Sequence, residues 1–96
     1  MYINWADQRN GVEDTDIWLA KSIDNGESWS DPIRVNDDAP GKHQFFSWMD
    51  VDPSTGYIYI VFYDRRAYDD AQTDVYLAHS KDGGQTFTNQ KISEKP

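Results

Sequence analysis

The sequence has 96 residues, an aromatic content of 15% and no cysteine, and its 17 acidic and 9 basic residues give a net charge of −8. Such a negative chain repels a phosphate backbone, which argues against a nucleic-acid partner. The lack of cysteine excludes a disulfide framework and a thiolate metal site, and no apolar run is long enough to span a bilayer.

Short runs of aromatic and β-branched residues, separated by turn-forming residues, predict an all-β fold of seven strands. In chain order, the predicted strands lie near residues 2–7, 16–22, 28–35, 45–51, 57–63, 74–80 and 86–92. A turn with Pro53 and Gly56 separates the fourth strand from the fifth. Neighbouring strands follow one another closely, which indicates antiparallel meanders.

The chain contains an internal repeat, because residues 2–36 realign on residues 59–93 with one insertion and one deletion. The matched pairs include Tyr2 with Tyr59, Asp7 with Asp64, Arg9 with Arg66, Asp16 with Asp74, Leu19 with Leu77 and Trp29 with Phe87. Each copy supplies three strands, and the strand at 45–51 adds a fourth to the second copy. We therefore predict a partial unit over residues 1–38 and a complete one over residues 39–96, together forming one structural unit.

Each copy contains one match to the pattern S-x-D-x-G-x-[ST]-[WF]. The matching residues are Ser22, Asp24, Gly26, Ser28 and Trp29 in the first copy, and Ser80, Asp82, Gly84, Thr86 and Phe87 in the second. The pattern predicts a tight hairpin turn, in which the aspartate accepts amide hydrogen bonds two or three residues on and glycine supplies a positive φ. The aromatic ring is expected to enter the core and anchor the hairpin.

These two segments resemble the Asp boxes, or BNR repeats, of sialidase-like six-bladed β-propellers, and the resemblance covers both copies. It implies two antiparallel propeller blades, the first without its inner strand, and a secreted or cell-surface location. In that family the boxes lie opposite the active site and have a structural role. Two blades do not close a ring, so the resemblance implies either a longer parent or a homo-oligomer. A cyclic trimer would supply six blades, and the open edge at residues 2–7 favours self-association.

The loops at residues 7–15, 36–44 and 64–73 are predicted to lie at the end of the sheets away from the Asp boxes. By the same resemblance this end would bind a ligand, and the candidate ligand-binding residues are Arg9, Asp64, Arg65, Arg66 and Tyr68. The repeated Asp-x-Arg motif favours a structural ion pair, since a ligand site needs one copy only. The alternative, an arginine that holds a ligand carboxylate with two hydrogen bonds, stays open.

No catalytic residue is predicted. The R-I-P segment of sialidases is absent, no glutamate matches their catalytic pair, and neither Tyr63 nor Tyr68 can be assigned as a nucleophile. We expect a segment of a secreted propeller protein associated with glycan binding or glycoside hydrolysis, and whether its parent is an enzyme stays open. The alternatives are a non-catalytic binding or scaffold module, with a glycan or protein partner, and an engineered or excised fragment. The entry into a strand directly after Met1 fits a fragment.

Other polar residues carry weaker signals. His43 and His79 have no partners at metal-ligand spacing and are predicted to be exposed and without a role, and Asp50 and Asp52 are assigned to a solvated turn. The carboxylates of Asp69, Asp70 and Asp74 are of the kind that bind Ca²⁺, but they lack EF-hand spacing. No metal or cofactor is therefore predicted, with Ca²⁺ as the open alternative.

Overall fold

The structure, a computed structural model, describes residues 1–11, 14–38, 41–68 and 72–93. Within these ranges every regular element is a strand, so the all-β prediction is confirmed. Sheet 1 has the order β1-β2-β3, and sheet 2 has the order β4-β5-β6-β7. The strands are β1 Tyr2–Asp7, β2 Asp16–Lys21, β3 Ile33–Arg34, β4 Gln44–Val51, β5 Ile58–Asp64, β6 Asp74–Ser80 and β7 Thr88–Lys91. Every neighbouring pair is antiparallel.

In the described part of the chain, no helix has the length and apolar character needed to cross a membrane.

The predicted third strand, residues 28–35, was wrong in extent, because β3 covers only Ile33–Arg34. Pro32 has no amide hydrogen and so cannot donate a ladder hydrogen bond. Before Pro32, Ser30 meets β2 irregularly: its amide donates to the Lys21 carbonyl at 2.8 Å, and its hydroxyl accepts from the Lys21 amide at 2.9 Å. The last strand, predicted at 86–92, is likewise shorter and starts at Thr88, because Thr86 belongs to a turn.

Both sheets contribute to a single hydrophobic core. On β5, buried and exposed residues alternate strictly, with Ile58, Ile60 and Phe62 on the buried face. They pack with Ile17 and Leu19 of β2, and the core is completed by Val35 and Ala78. Strand alternation therefore places one face of sheet 2 against one face of sheet 1.

Candidate functional site

Three loops meet at one end of the two sheets. The Gln44 amide donates to the Thr15 carbonyl at 2.7 Å, and the Arg65 amide donates to the His43 carbonyl at 3.0 Å. These bonds join the loop after β1 to the segment before β4, and that segment to the loop after β5. We call this end, formed by the described residues 8–11, 14–15, 36–38, 41–43, 65–68 and 72–73, the loop face.

A buried hydrogen-bond network centred on Asn36 supports the loop face. The Asn36 side-chain oxygen accepts from the Ile17 amide at 2.8 Å, and its side-chain nitrogen lies 2.9 Å from a carboxylate oxygen of Asp16 and 2.8 Å from the Gln44 side-chain oxygen. Gln44 in turn donates to Asp64 at 3.0 Å. The four polar residues that these hydrogen bonds connect are each at most 2% exposed. Because buried polar groups are costly without partners, this network fixes the relative position of β2 and β5.

Arg34 neutralises part of the acidic charge in this network. Its Nη2 lies 3.2 Å from a carboxylate oxygen of Asp16 and 3.2 Å from one of Asp38, and it donates to the Asp38 carbonyl at 2.8 Å. Nearby Asp14 is only 5% exposed, and its burial raises the pKa of this carboxyl. Among the described residues, Asp14 Oδ1 and Arg34 Nε are buried atoms without a hydrogen-bond partner.

Arg66 connects the two sheets. Its Nε donates to Asp64 Oδ2 at 2.7 Å, its Nη1 to Asp37 Oδ1 at 2.6 Å, and its Nη2 to Asn89 Oδ1 at 2.9 Å. The guanidinium carbon also lies 4.1 Å from the centre of the Tyr76 ring. Asp37 follows the last strand of sheet 1, whereas the other partners belong to sheet 2 or its loops. Burial raises the pKa of Asp64, against the hydrogen bonds from Gln44 and Arg66 that lower it.

Arg9, the repeat equivalent of Arg66, makes the same kind of ion pair in a more exposed place. Its Nη2 lies 2.7 Å from Asp7 Oδ2, and its guanidinium carbon lies 4.4 Å from the centre of the Trp18 ring. The Arg9 side chain is 40% exposed, compared with 18% for Arg66. The hydrogen bond from the Arg9 side chain lowers the pKa of Asp7 to about 2. Both copies of the Asp-x-Arg motif thus form internal ion pairs.

The structure brings four of the five candidate ligand-binding residues together, in and beside the loop after β5, while Arg9 lies in the loop after β1. Arg65 donates from Nε to the Thr73 hydroxyl at 3.2 Å and stacks over Phe45, with 4.9 Å between guanidinium carbon and ring centre. In the part of the chain that the structure describes, Arg65 is the arginine for which no ion pair is found. The Tyr68 hydroxyl donates to Asp74 Oδ1 at 3.1 Å.

His43 is not the exposed, idle residue that the sequence predicted. Its side chain is half-buried, and its Nδ1 lies 2.8 Å from the Thr15 hydroxyl and 3.3 Å from the Thr15 amide. The error arose because the closure of one loop on another cannot be read from spacing along the chain. His79 is also half-buried, and its ring stacks on Tyr59 with 6.4 Å between centres.

The Ca²⁺ alternative rested on three aspartates, of which Asp69 and Asp70 lie outside the described residues. Asp74 is 1% exposed and lies 3.5 Å from Lys91 Nζ. Within the described ranges, no group of three or more His, Cys, Asp or Glu side chains has an arrangement suited to a metal ion.

At the two segments that match S-x-D-x-G-x-[ST]-[WF], the two turns have the same hydrogen-bond pattern. In the first, the Ser22 hydroxyl donates to Asp24 at 2.8 Å and accepts from the Gly26 amide at 2.8 Å, while Asp24 accepts from the Ser28 amide at 2.9 Å and from the Ser28 hydroxyl. The aspartate thus reaches an amide four residues on, rather than two or three, because the turn is longer than a simple Asx turn. The turn is closed from both sides by side chains.

The second turn repeats these bonds atom for atom. Ser80 donates to Asp82 at 2.7 Å and accepts from the Gly84 amide at 2.9 Å, and Asp82 accepts from the Thr86 amide at 2.9 Å and from its hydroxyl. The glycines Gly26 and Gly84 have φ values of 89° and 87°. A shared sequence pattern therefore gives a shared turn geometry.

The two aromatic residues that end the pattern differ in burial. Phe87 is partly buried against the core, as predicted. The prediction for Trp29 was wrong, because this residue is 41% exposed. A Cβ atom placed on Gly26 would lie 3.7 Å from Cζ2 of the Trp29 ring. The ring therefore covers its own turn instead of entering the core.

Asp24 and Asp82 should stabilise the fold only while they are ionised. Hydrogen bonds from the side chains of Ser28 and Thr86 lower the pKa of Asp24 and of Asp82, respectively, from 3.8 to about 2. A carboxyl whose pKa is lower in the folded chain than in the unfolded chain contributes fully above about pH 4, and the contribution is lost as the pH falls towards about 2. We expect Asp24→Asn and Asp82→Asn to flatten the loss of stability over this range, as measured by urea midpoints.

Ser28→Ala is the matched control for the first turn, because it removes a donor but keeps the carboxylate, and it should flatten the pH dependence partially. An unchanged pH dependence in all three variants would show that the turn hydrogen bonds do not hold the carboxylates ionised.

No known protein family has a model that matches this chain, and a comparison with curated proteins gives no match.

Sequence reasoning missed the residues that hold the loop face together, chiefly Asn36, Gln44 and Arg34. One signal was present, because Asp16 and Asp74 recur at equivalent repeat positions, just where a strand begins. An acidic residue that recurs beside a strand in two copies is more consistent with a structural partner than with a solvated loop. The partners of Asp16 and Asp74 could not be identified from the sequence, because they come from other strands and loops.

Proposed function

We propose that this chain forms two blades of a sialidase-like Asp-box propeller and acts as a structural repeat module, rather than as a glycoside hydrolase. The observation that carries the proposal is the use of the arginines. Arg66 is bound by Asp64 and Asp37, Arg34 by two carboxylates, and Arg9 by Asp7. Arg65 has no ion pair in the described part of the chain, but its Nε donates to the Thr73 hydroxyl and its guanidinium stacks on the Phe45 ring. An arginine that must hold a ligand carboxylate needs free donors pointing into an open site.

The two turns support the blade assignment. Equivalent positions in the two copies form identical turns, and the strand orders of three and four agree with a partial and a complete blade. A blade is a small antiparallel sheet that buries its faces against its neighbours, and sheet 2 buries one face against sheet 1 in this way. We propose that the loop face is the rigid end through which such a module contacts a glycan or protein partner.

The proposal is tested by measuring whether the chain hydrolyses or binds a carboxylated sugar. We expect no release of fluorophore from a fluorogenic sialoside above a protein-free blank, and no saturable heat on titration with free sialic acid. The matched variants are Arg65→Ala and Arg66→Ala. Saturable binding that either variant abolishes without a change in stability would contradict the proposal, because Arg65 or Arg66 would then hold a ligand carboxylate and would not be used within the fold.

A further inference from the structure

The two sheets pack against each other through faces that are not equivalent in the repeat. We call face A the face of sheet 2 that is buried in the core, and face B the face of sheet 1 that it contacts. Face A of sheet 2 includes Ile60, Phe62, Tyr76 and Ala78, and face B of sheet 1 includes Tyr2, Ile17, Leu19 and Val35. The contact is polar at its margin, where the Asn89 side chain donates to the Val35 carbonyl at 3.0 Å.

The repeat supplies each sheet with the other face as well. Face A of sheet 1 includes the equivalents Ile3, Trp5, Trp18 and Ala20, and face B of sheet 2 includes Tyr59, Val75, Leu77 and Ile92. The backbone supports the equivalence, because the Val35 amide donates to the Ile17 carbonyl at 2.8 Å and the Ile92 amide donates to the Val75 carbonyl at 2.9 Å. Each sheet is therefore built with both halves of the contact.

Two pairs of equivalent residues differ strongly in burial. Val35 is 1% exposed, whereas its counterpart Ile92 is 49% exposed. Ile60 is fully buried, whereas its counterpart Ile3 is 48% exposed. Face B of sheet 2 continues onto β4, where Trp48 pairs with Val61 and is 79% exposed. Exposed apolar side chains that neighbour one another on a single sheet face indicate an interaction site.

We propose that a second copy of this chain packs face B of its sheet 2 onto face A of sheet 1. A second copy is the occupant that the molecule itself specifies, because the same contact between equivalent residues is already formed inside the chain. The contact is head-to-tail, so each added copy leaves one face of each kind free, and assembly continues until a ring closes or a filament forms. The inference deepens the proposed function and rests on its treatment of the two sheets as equivalent repeat units.

The test begins with the solution mass, measured by light scattering over a range of chain concentrations. We expect assemblies of more than one 11.1-kDa chain, with a mass that rises with concentration. A single chain at every concentration up to the solubility limit would overturn the inference. It would leave the proposed function standing, since that is tested by stability and ligand binding of the single chain.

Two substitutions then block one face each. Ile3→Lys places a charge on face A of sheet 1 and Ile92→Lys places one on face B of sheet 2, and we expect each to weaken association about 100-fold or more, because an ammonium would have to be buried without a partner. Ile23→Lys is the matched control, since Ile23 is 90% exposed and belongs to neither face. Val61→Lys is a second variant for face B, should Ile92→Lys fail to fold by circular dichroism.

Mixing the two variants separates a head-to-tail contact from a symmetric one. An equimolar mixture of Ile3→Lys and Ile92→Lys should form a 1:1 heterodimer, because one intact face B meets one intact face A, and growth should stop there. Absence of this heterodimer would overturn the inference. Association of either variant alone at the wild-type level, or equal loss in the Ile23→Lys control, would overturn it as well.

Discussion

The Gly84→Ala variant should unfold with a free energy about 3 kcal/mol lower than that of the wild type, because two costs add. Gly84 has a φ of 87°, where an L side chain clashes with its own backbone. A Cβ at this position would also lie 2.7 Å from Leu19 Cδ2. Leu19 is fully buried and Ile58 Cδ1 lies 3.5 Å from the same Cβ, so no open space can accommodate the methyl group.

Gly26→Ala is the matched control, since Gly26 occupies the equivalent place in the first turn with a φ of 89°. Its nearest neighbours lie 3.7 Å away, in ordinary contact. This variant should show only the backbone cost, about 1–2 kcal/mol. The measurement is urea unfolding at one fixed chain concentration. Equal losses in the two variants would show that the second turn is not packed against sheet 1.

Arg66→Ala should lower the free energy of unfolding by about 2–3 kcal/mol, because it leaves the buried carboxylate of Asp64 without its partner. The exposed half of the Arg66 contacts, at Asp37, contributes little, since that carboxylate is 53% exposed and screened by solvent. The loss therefore reflects the cost of an unpaired buried charge more than the strength of the ion pair. Urea unfolding again provides the measurement.

Arg9→Ala removes the equivalent arginine from an exposed ion pair and should have a much smaller effect than Arg66→Ala. A residue kept for ligand binding behaves in the opposite way, since its removal leaves stability unchanged or raises it. An Arg66→Ala chain as stable as the wild type would therefore argue against the structural role of the Asp-x-Arg motif.

The sequence was sufficient to predict the repeat, the number of strands and their order along the chain. The strand β5, Ile58–Asp64, is a run of β-branched and aromatic residues, and such a run is a local signal for a strand. The turn geometry was also predictable in outline, because Gly26 and Gly84 mark the positions that need a positive φ. These features depend on residues close together in the chain.

Features that depend on distant residues were not predictable in the same way. The short β3 follows from Pro32 and from the irregular pairing of Ser30 with β2, and the exposed ring of Trp29 follows from the way its turn folds. Asn36 and Gln44 are polar residues at the two ends of a loop, and residues of that type are usually exposed. They are buried because Asp16 and Asp64, brought from other parts of the chain, supply their hydrogen-bond partners.

The most direct test of the proposed structural module is a nitrogen-15 spectrum of the arginine side chains, recorded with and without sialic acid. We expect the Nε–H signal of Arg66 to exchange slowly with water, to be lost in the Asp64→Asn variant, and to stay unchanged when sialic acid is added. An Arg66 signal that exchanges like that of free arginine and shifts saturably with sialic acid would contradict the account, because the guanidinium would then be available to a ligand.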